Sequence, residues 1–117
     1  MKGENVIVER SFAFALRIIE IYKVLSAERE FVLSKQLLRS GTSIGANVVE
    51  ATAAISKREF AQKMSIASKE ARETRYWLEL LTRGQLTQSD LTAELNEINQ
   101  LINILTAIVK TAQASLE

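Results

Sequence analysis

The sequence predicts an all-α protein, an antiparallel up-and-down four-helix bundle, on three observations. Apolar residues recur at spacings of three and four along nearly the whole chain, and strand-like alternation is nowhere sustained. The 117 residues contain no Pro and only four Gly, so few positions can interrupt a helix. The breaks that do occur imply short links, which place successive helices antiparallel around one core. No linker or low-complexity segment divides the chain, and residues 1–117 read as a single domain.

The first helix is expected over about Glu9 to Ala27. Val8, Phe12, Ala15, Ile19 and Tyr22 form one apolar stripe, and Phe14, Ile18, Ile21 and Leu25 form a second beside it. Only Arg17, Glu20 and Lys23 mark a polar side, and an apolar arc this wide exceeds what one bundle core needs. The second helix is expected over about Ser34 to Ala54, with Leu33, Leu37, Ile44, Val48, Ala51 and Ile55 inward. Gly41 and Gly45 lie one turn apart inside it, each costing about 1 kcal/mol against Ala. That cost points to close approach of a neighbouring helix.

The third start is the clearest, because Ser56-Lys57-Arg58-Glu59 is a capping box. Phe60, Met64, Ala67, Ala71, Thr74, Leu78 and Leu81 then alternate steps of four and three, the spacing of a bundle seam. Gly84 is expected at the C′ position that ends this helix. Thr87 to Asp90 supplies the next start signals, followed by a second seam of Leu91, Leu95, Ile98, Ile102, Leu105, Val109, Ala112 and Leu116.

Composition excludes several function classes. Without Cys there is no disulfide, thiolate zinc site or cysteine nucleophile, and without His no Ser-His-Asp triad or His-ligated metal. A ferritin-like di-iron site needs Glu-x-x-His on two helices; Glu70 and Glu73 have the spacing, but no His completes it. Glu50, Glu70 and Glu73 are the carboxylates available for acid–base chemistry, yet nothing positions a substrate beside them. The expectation is therefore a non-enzyme with no cofactor and no metal. Met1 to Arg10 is polar and lacks a signal-peptide core. Leu101 to Val109 is too short and too interrupted to span a bilayer, so the cytoplasm is the expected compartment.

The charge is segregated although its total is only +1. Residues 29–83 carry ten basic and six acidic side chains, whereas residues 84–117 carry one and four. At 100° per residue, Arg58, Lys69, Arg72 and Arg83 form a ridge on the third helix opposite Phe60 and Leu78. Glu79 intrudes on it, and Lys57, Lys63 and Arg75 flank it. Such a ridge can track the phosphates of RNA or DNA, or serve only as a solvated face. No aromatic residue is expected among these cations, so base stacking is not indicated. On the second helix Lys35, Arg39, Ser43, Asn47 and Glu50 form a polar arc. Asn47 and Glu50 are either solvated or buried partners that fix register.

Ile66, Trp77 and Leu80 stand away from the seam of the third helix. With the second stripe of the first helix they exceed what one core absorbs, and three such side chains represent about 5–8 kcal/mol if fully buried. Monomers rarely expose contiguous patches of this kind. Self-association is expected, and docking of another protein partner on the same patch is the alternative.

The middle of the chain carries a family resemblance. Gln36-Leu37-Leu38-Arg39-Ser40 followed by Ser43-Ile44-Gly45-Ala46-Asn47-Val48-Val49-Glu50-Ala51 resembles the four-helix-bundle proteins encoded by intervening sequences of bacterial 23S ribosomal RNA genes. Glu73-Thr74-Arg75-Tyr76-Trp77-Leu78 is similar to a second motif of that family, and Ala51 departs from a position where Gly is common. The resemblance implies a left-handed bundle assembling as a ring, commonly a pentamer. It makes Arg39, Ser43, Asn47 and Glu50 candidate structural or subunit-contact residues, beside Ile66, Trp77 and Leu80. It also relates the chain to the accessory variability determinants of diversity-generating retroelements, basic barrels that bind nucleic acid; the nearly neutral charge here departs from them.

Overall fold

The computed structural model describes the backbone of residues 2–116 and the burial of residues 5–116. Four helices follow in order: α1 (Lys2–Ala27), α2 (Leu33–Thr52), α3 (Lys57–Arg83) and α4 (Thr92–Ala114). Each packs against its chain neighbours and α4 returns to α1, giving a bundle 47 Å long and 21 Å across. No described helix is long and apolar enough to cross a membrane.

The α1 helix begins a full two turns before the expected Glu9: Lys2 to Val8 contains no Pro, its Gly3 is tolerated within the first turn, and it carries Ile7, which is completely buried. Its core line is Ile7, Ser11, Phe14, Ile18 and Leu25. The stripe read as surplus is therefore the core stripe, and the other lies on its flank, with Phe12 65% exposed and Val8, Ala15, Ile19 and Tyr22 half-buried. Seating explains the choice. A Cβ on Gly41 would lie 2.9 Å from Ile18 side-chain carbons, and one on Gly45 would lie 3.3 Å from Ser11 Oγ and 3.5 Å from the Ser11 backbone. The two glycines let α1 press onto α2 with Ser11 and Ile18 inward. On its far flank α1 is tied to α4: Arg10 forks onto Glu97 at 2.7 and 3.1 Å, and Arg17 reaches Glu94 at 2.7 Å.

Both left-handed turns between helices are made by residues other than Gly. Arg29 (φ 67°) follows α1 and Gln85 (φ 55°) follows α3. Glu30 N–H donates to Leu25 O and Arg29 N–H to Ser26 O, the paired bonds of a Schellman end, and Leu86 and Gln85 repeat them onto Leu81 and Thr82. Gly84 is thus not the left-handed residue. It sits one position earlier at φ −79°, where a Cβ would fall 2.6 Å from Leu80 O.

The α2 start lacks a side-chain cap from its own first residues because Glu30 caps it from the turn, accepting from Ser34 N at 2.7 Å and Val32 N at 3.2 Å. The helix stops at Thr52, so Ile55 leaves the expected inward stripe and stands 95% exposed. At α3 the Ser56 Oγ accepts from Glu59 N at 3.0 Å, and the Glu59 carboxylate reaches back to Ile55 N, one residue before the cap. The two expected seams meet in the core, with Met64, Ala67, Ala71, Thr74, Leu78 and Leu81 facing Leu91, Ile98, Ile102 and Leu105. Leu101 joins them, while Leu116 lies past the end of α4 and is exposed. Thr74 Oγ1 donates to Ser40 Oγ at 2.9 Å, a buried polar contact that joins α3 to α2.

The glycine contacts make a graded prediction. Gly41→Ala drives a methyl into a buried β-branched side chain and costs about 1–3 kcal/mol, whereas Gly45→Ala falls within about 1 kcal/mol of the parent, its crowding offset by helix propensity. Gly45→Leu, which must displace the α1 backbone, costs about 3 kcal/mol or more. Urea denaturation of the three variants checks the order; equal stabilities would contradict the close approach.

Candidate nucleic-acid interface

The outward face of α3 runs through residues 58, 62, 65, 69, 72, 76 and 83, the line opposite its core seam. Arg58, Lys69, Arg72 and Arg83 are all exposed along it. At 1.5 Å per residue they span about 38 Å. Arg72 donates to Thr106 Oγ1 on α4 at 3.1 Å, and Arg75 beside it donates to Asn99 Oδ1 at 3.1 Å. Among the described residues Arg58, Lys69 and Arg83 enter no ion pair.

The expectation that no aromatic joins the ridge is corrected here. Tyr76 lies four residues beyond Arg72 on the same face, 55% exposed, and meets the Trp77 ring edge-on with centroids 5.1 Å apart. The helical angle that placed the four cations also places Tyr76 among them, so the sequence held the signal.

Of the α3 carboxylates, Glu79 stays beside the ridge, 3.9 Å from Arg75, whereas Glu70 and Glu73 are engaged on a different side. Arg39, projecting from α2, binds Glu70 at 3.0 Å and also binds Glu73, to which the Trp77 indole N–H donates at 3.0 Å. Burial pushes the Glu73 carboxyl up, but the bonds from Trp77 and Arg39 and the guanidinium charge outweigh it and hold the group below the usual carboxylate range. Glu70 and Glu73 therefore serve as anchors between α2 and α3 and present no free pair for acid–base work. Two turns nearer the start of α3, Lys63 bonds Glu50 at 2.8 Å across the same two helices. Asn47 turns back on its own helix, donating to Ser43 O at 2.9 Å and Ser43 Oγ at 3.1 Å. Asn47 and Glu50 are thus not a buried pair: the first is half-buried and the second exposed.

The apolar surplus lies elsewhere than expected. Trp77 is half-buried and packed on the core, Ile66 is half-buried, and Leu80 is 37% exposed. The larger uncovered surface is the back of α1, where Phe12 and Leu16 (52% exposed) stand beside half-buried Ile19. The clue in the sequence was Ser11: a small residue in register with Ile7, Phe14, Ile18 and Leu25 fits opposite a glycine, and it selects that stripe as the inner one.

Comparison with known proteins agrees with this architecture. The profile of the 23S rRNA-intervening sequence proteins matches residues 3–107. A crystal structure of a protein of unknown function from the S23 ribosomal protein family of Bacteroides thetaiotaomicron is similar at 45% identity and a TM-score of 0.87. The match covers 92% of this chain and 98% of that one. No curated protein matches the chain significantly.

The Trp77–Glu73–Arg39 contact provides its own reporter. A carboxylate with a depressed folded-state pKa stabilises the fold above the ordinary value of about 4.3, and that contribution is lost as pH falls through the lower folded value. Trp77 fluorescence is expected to titrate with a midpoint below that ordinary value, to shift upward in Arg39→Met, and to lose the transition in Glu73→Gln. A midpoint at or above the ordinary value in the parent would contradict the assignment.

Proposed function

The chain belongs to the 23S rRNA-intervening sequence protein family, and from that premise we propose that it is a non-enzymatic assembly protein that binds structured RNA or DNA. Copies associate through the back of α1 into the ring, commonly pentameric, that the family resemblance implies. The α3 ridges then present cations to phosphates from several subunits at once.

The observation that carries this reading is the unequal fate of the charges on α3. Glu70 and Glu73 are held by Arg39, Glu59 by the cap of its own helix and Glu79 by Arg75, while Arg58, Lys69 and Arg83 remain unpaired among the described residues. A net charge of +1 gives weak attraction for one chain. Repetition of the ridge around a ring raises the effective concentration of cations and makes modest contacts sufficient. Tyr76 adds a π face at which an unpaired base can stack. Association is supported by Phe12 and Leu16, whose remaining exposed surface is worth about 2–3 kcal/mol per subunit before the cost of association.

Filter binding of a structured RNA and of duplex DNA across a salt series tests the reading. With about four phosphate contacts per subunit site, affinity falls with a log–log slope of about −3 to −4. Lys69→Glu with Arg72→Glu is expected to weaken binding at least tenfold and flatten the slope by about two contacts. Retention of neither nucleic acid would overturn the reading and leave a protein-docking adaptor. Binding insensitive to the double reversal would overturn the ridge as the site.

A further inference from the structure

A second concave surface lies at the end of the bundle where α2 turns into α3 and α4 finishes. It is a groove of about 730 Å³, a volume suited to one small ligand. Its apolar lining is Phe60 from the first turn of α3 with Ala107, Ile108 and Ala112 of α4. Ile55, almost wholly exposed in the α2–α3 turn, also lines it. Its polar lining residues, Ser56, Lys57, Thr111 and Ser115, are all exposed.

We propose that this groove binds a free medium-chain carboxylate, one alkyl chain with an anionic head. Charge complementarity selects the occupant. Lys57 is the one charged side chain among the lining residues, it is exposed, and among the described residues it enters no ion pair. A single ammonium on a largely apolar slot favours a ligand that sets a negative head against it and lays its alkyl part on the apolar wall. The Ser56 hydroxyl, whose oxygen already accepts from Glu59 N, keeps its proton free to donate to such a head. From Ala107 to Ser115 the α4 wall runs about 12 Å, a length that accepts one extended chain lying along the helix. The proposal is independent of the α3 ridge and of the back of α1, which contribute no residue to the groove.

The probe is decanoate, titrated below its micelle concentration into the full chain and followed by amide chemical shifts. Saturable shifts are expected around Lys57, Ile108 and Thr111, with decyltrimethylammonium and decanol binding at least tenfold more weakly. Lys57→Glu is expected to weaken decanoate about tenfold, and Ala107→Glu, at an exposed position, to abolish binding with an unchanged thermal melt. Equal binding of the cationic amphiphile, or shifts that do not saturate, would overturn the proposal. So would co-sedimentation with phosphatidylglycerol vesicles, which would make the occupant a membrane lipid. A change of oligomeric state in Ala107→Glu would likewise overturn it, by giving the groove to a second copy.

Discussion

The structure depends on how closely α1 can lie on α2. Gly41 and Gly45 remove the side chains that would hold the two apart, and Ile18 and Ser11 occupy the space. Once those contacts are made the rotation of α1 about its axis is fixed. Ile7, Phe14 and Leu25 must then point into the core, Arg10 and Arg17 must lie against the acidic flank of α4, and Phe12 and Leu16 must face outward. Two glycines that lower the intrinsic stability of α2 by about 1 kcal/mol each thus decide which of the two apolar stripes of α1 remains available for another molecule.

The same arrangement sorts the charges. Glu94 and Glu97 of α4 are matched by arginines of α1, and Glu70 and Glu73 of α3 by Arg39 of α2. These pairs are partly exposed and individually contribute little stability. Their consequence is distribution: acidic groups are drawn into the seams between helices, and the outer line of α3 is left basic. A chain of almost zero net charge thereby presents a cationic surface, which composition alone cannot reveal.

Much of this was legible in the sequence, and the failures share a cause. The seams of α3 and α4 were readable because their spacing is regular and their outer faces polar, so one phase fits. The Ser56 cap and the packing role of the glycines followed from local chemistry. On α1 two stripes satisfied the same periodicity, and only the partner surface on α2 separates them. The start of α2 and the end of α3 fall within a residue of where they were expected, but other groups make them: Glu30 caps α2 from the turn, and Gln85 takes the left-handed conformation expected of its neighbour Gly84; the misplaced end is the start of α1. Of the candidate site residues, Arg39, Asn47 and Glu50 were visible as a polar arc, but their partners lie on α3 or one turn back. Tyr76 was within reach of the same angular argument that found the cations around it.

The central claim is that α1, seated on its glycines, offers Phe12 and Leu16 to a second copy. Sedimentation velocity of the parent chain and of Phe12→Glu/Leu16→Glu, both at micromolar concentration, tests it most directly. The parent is expected at several times 13.1 kDa and the variant as a folded monomer. A monomeric parent, or a variant that sediments with an unaltered parent assembly, would contradict it.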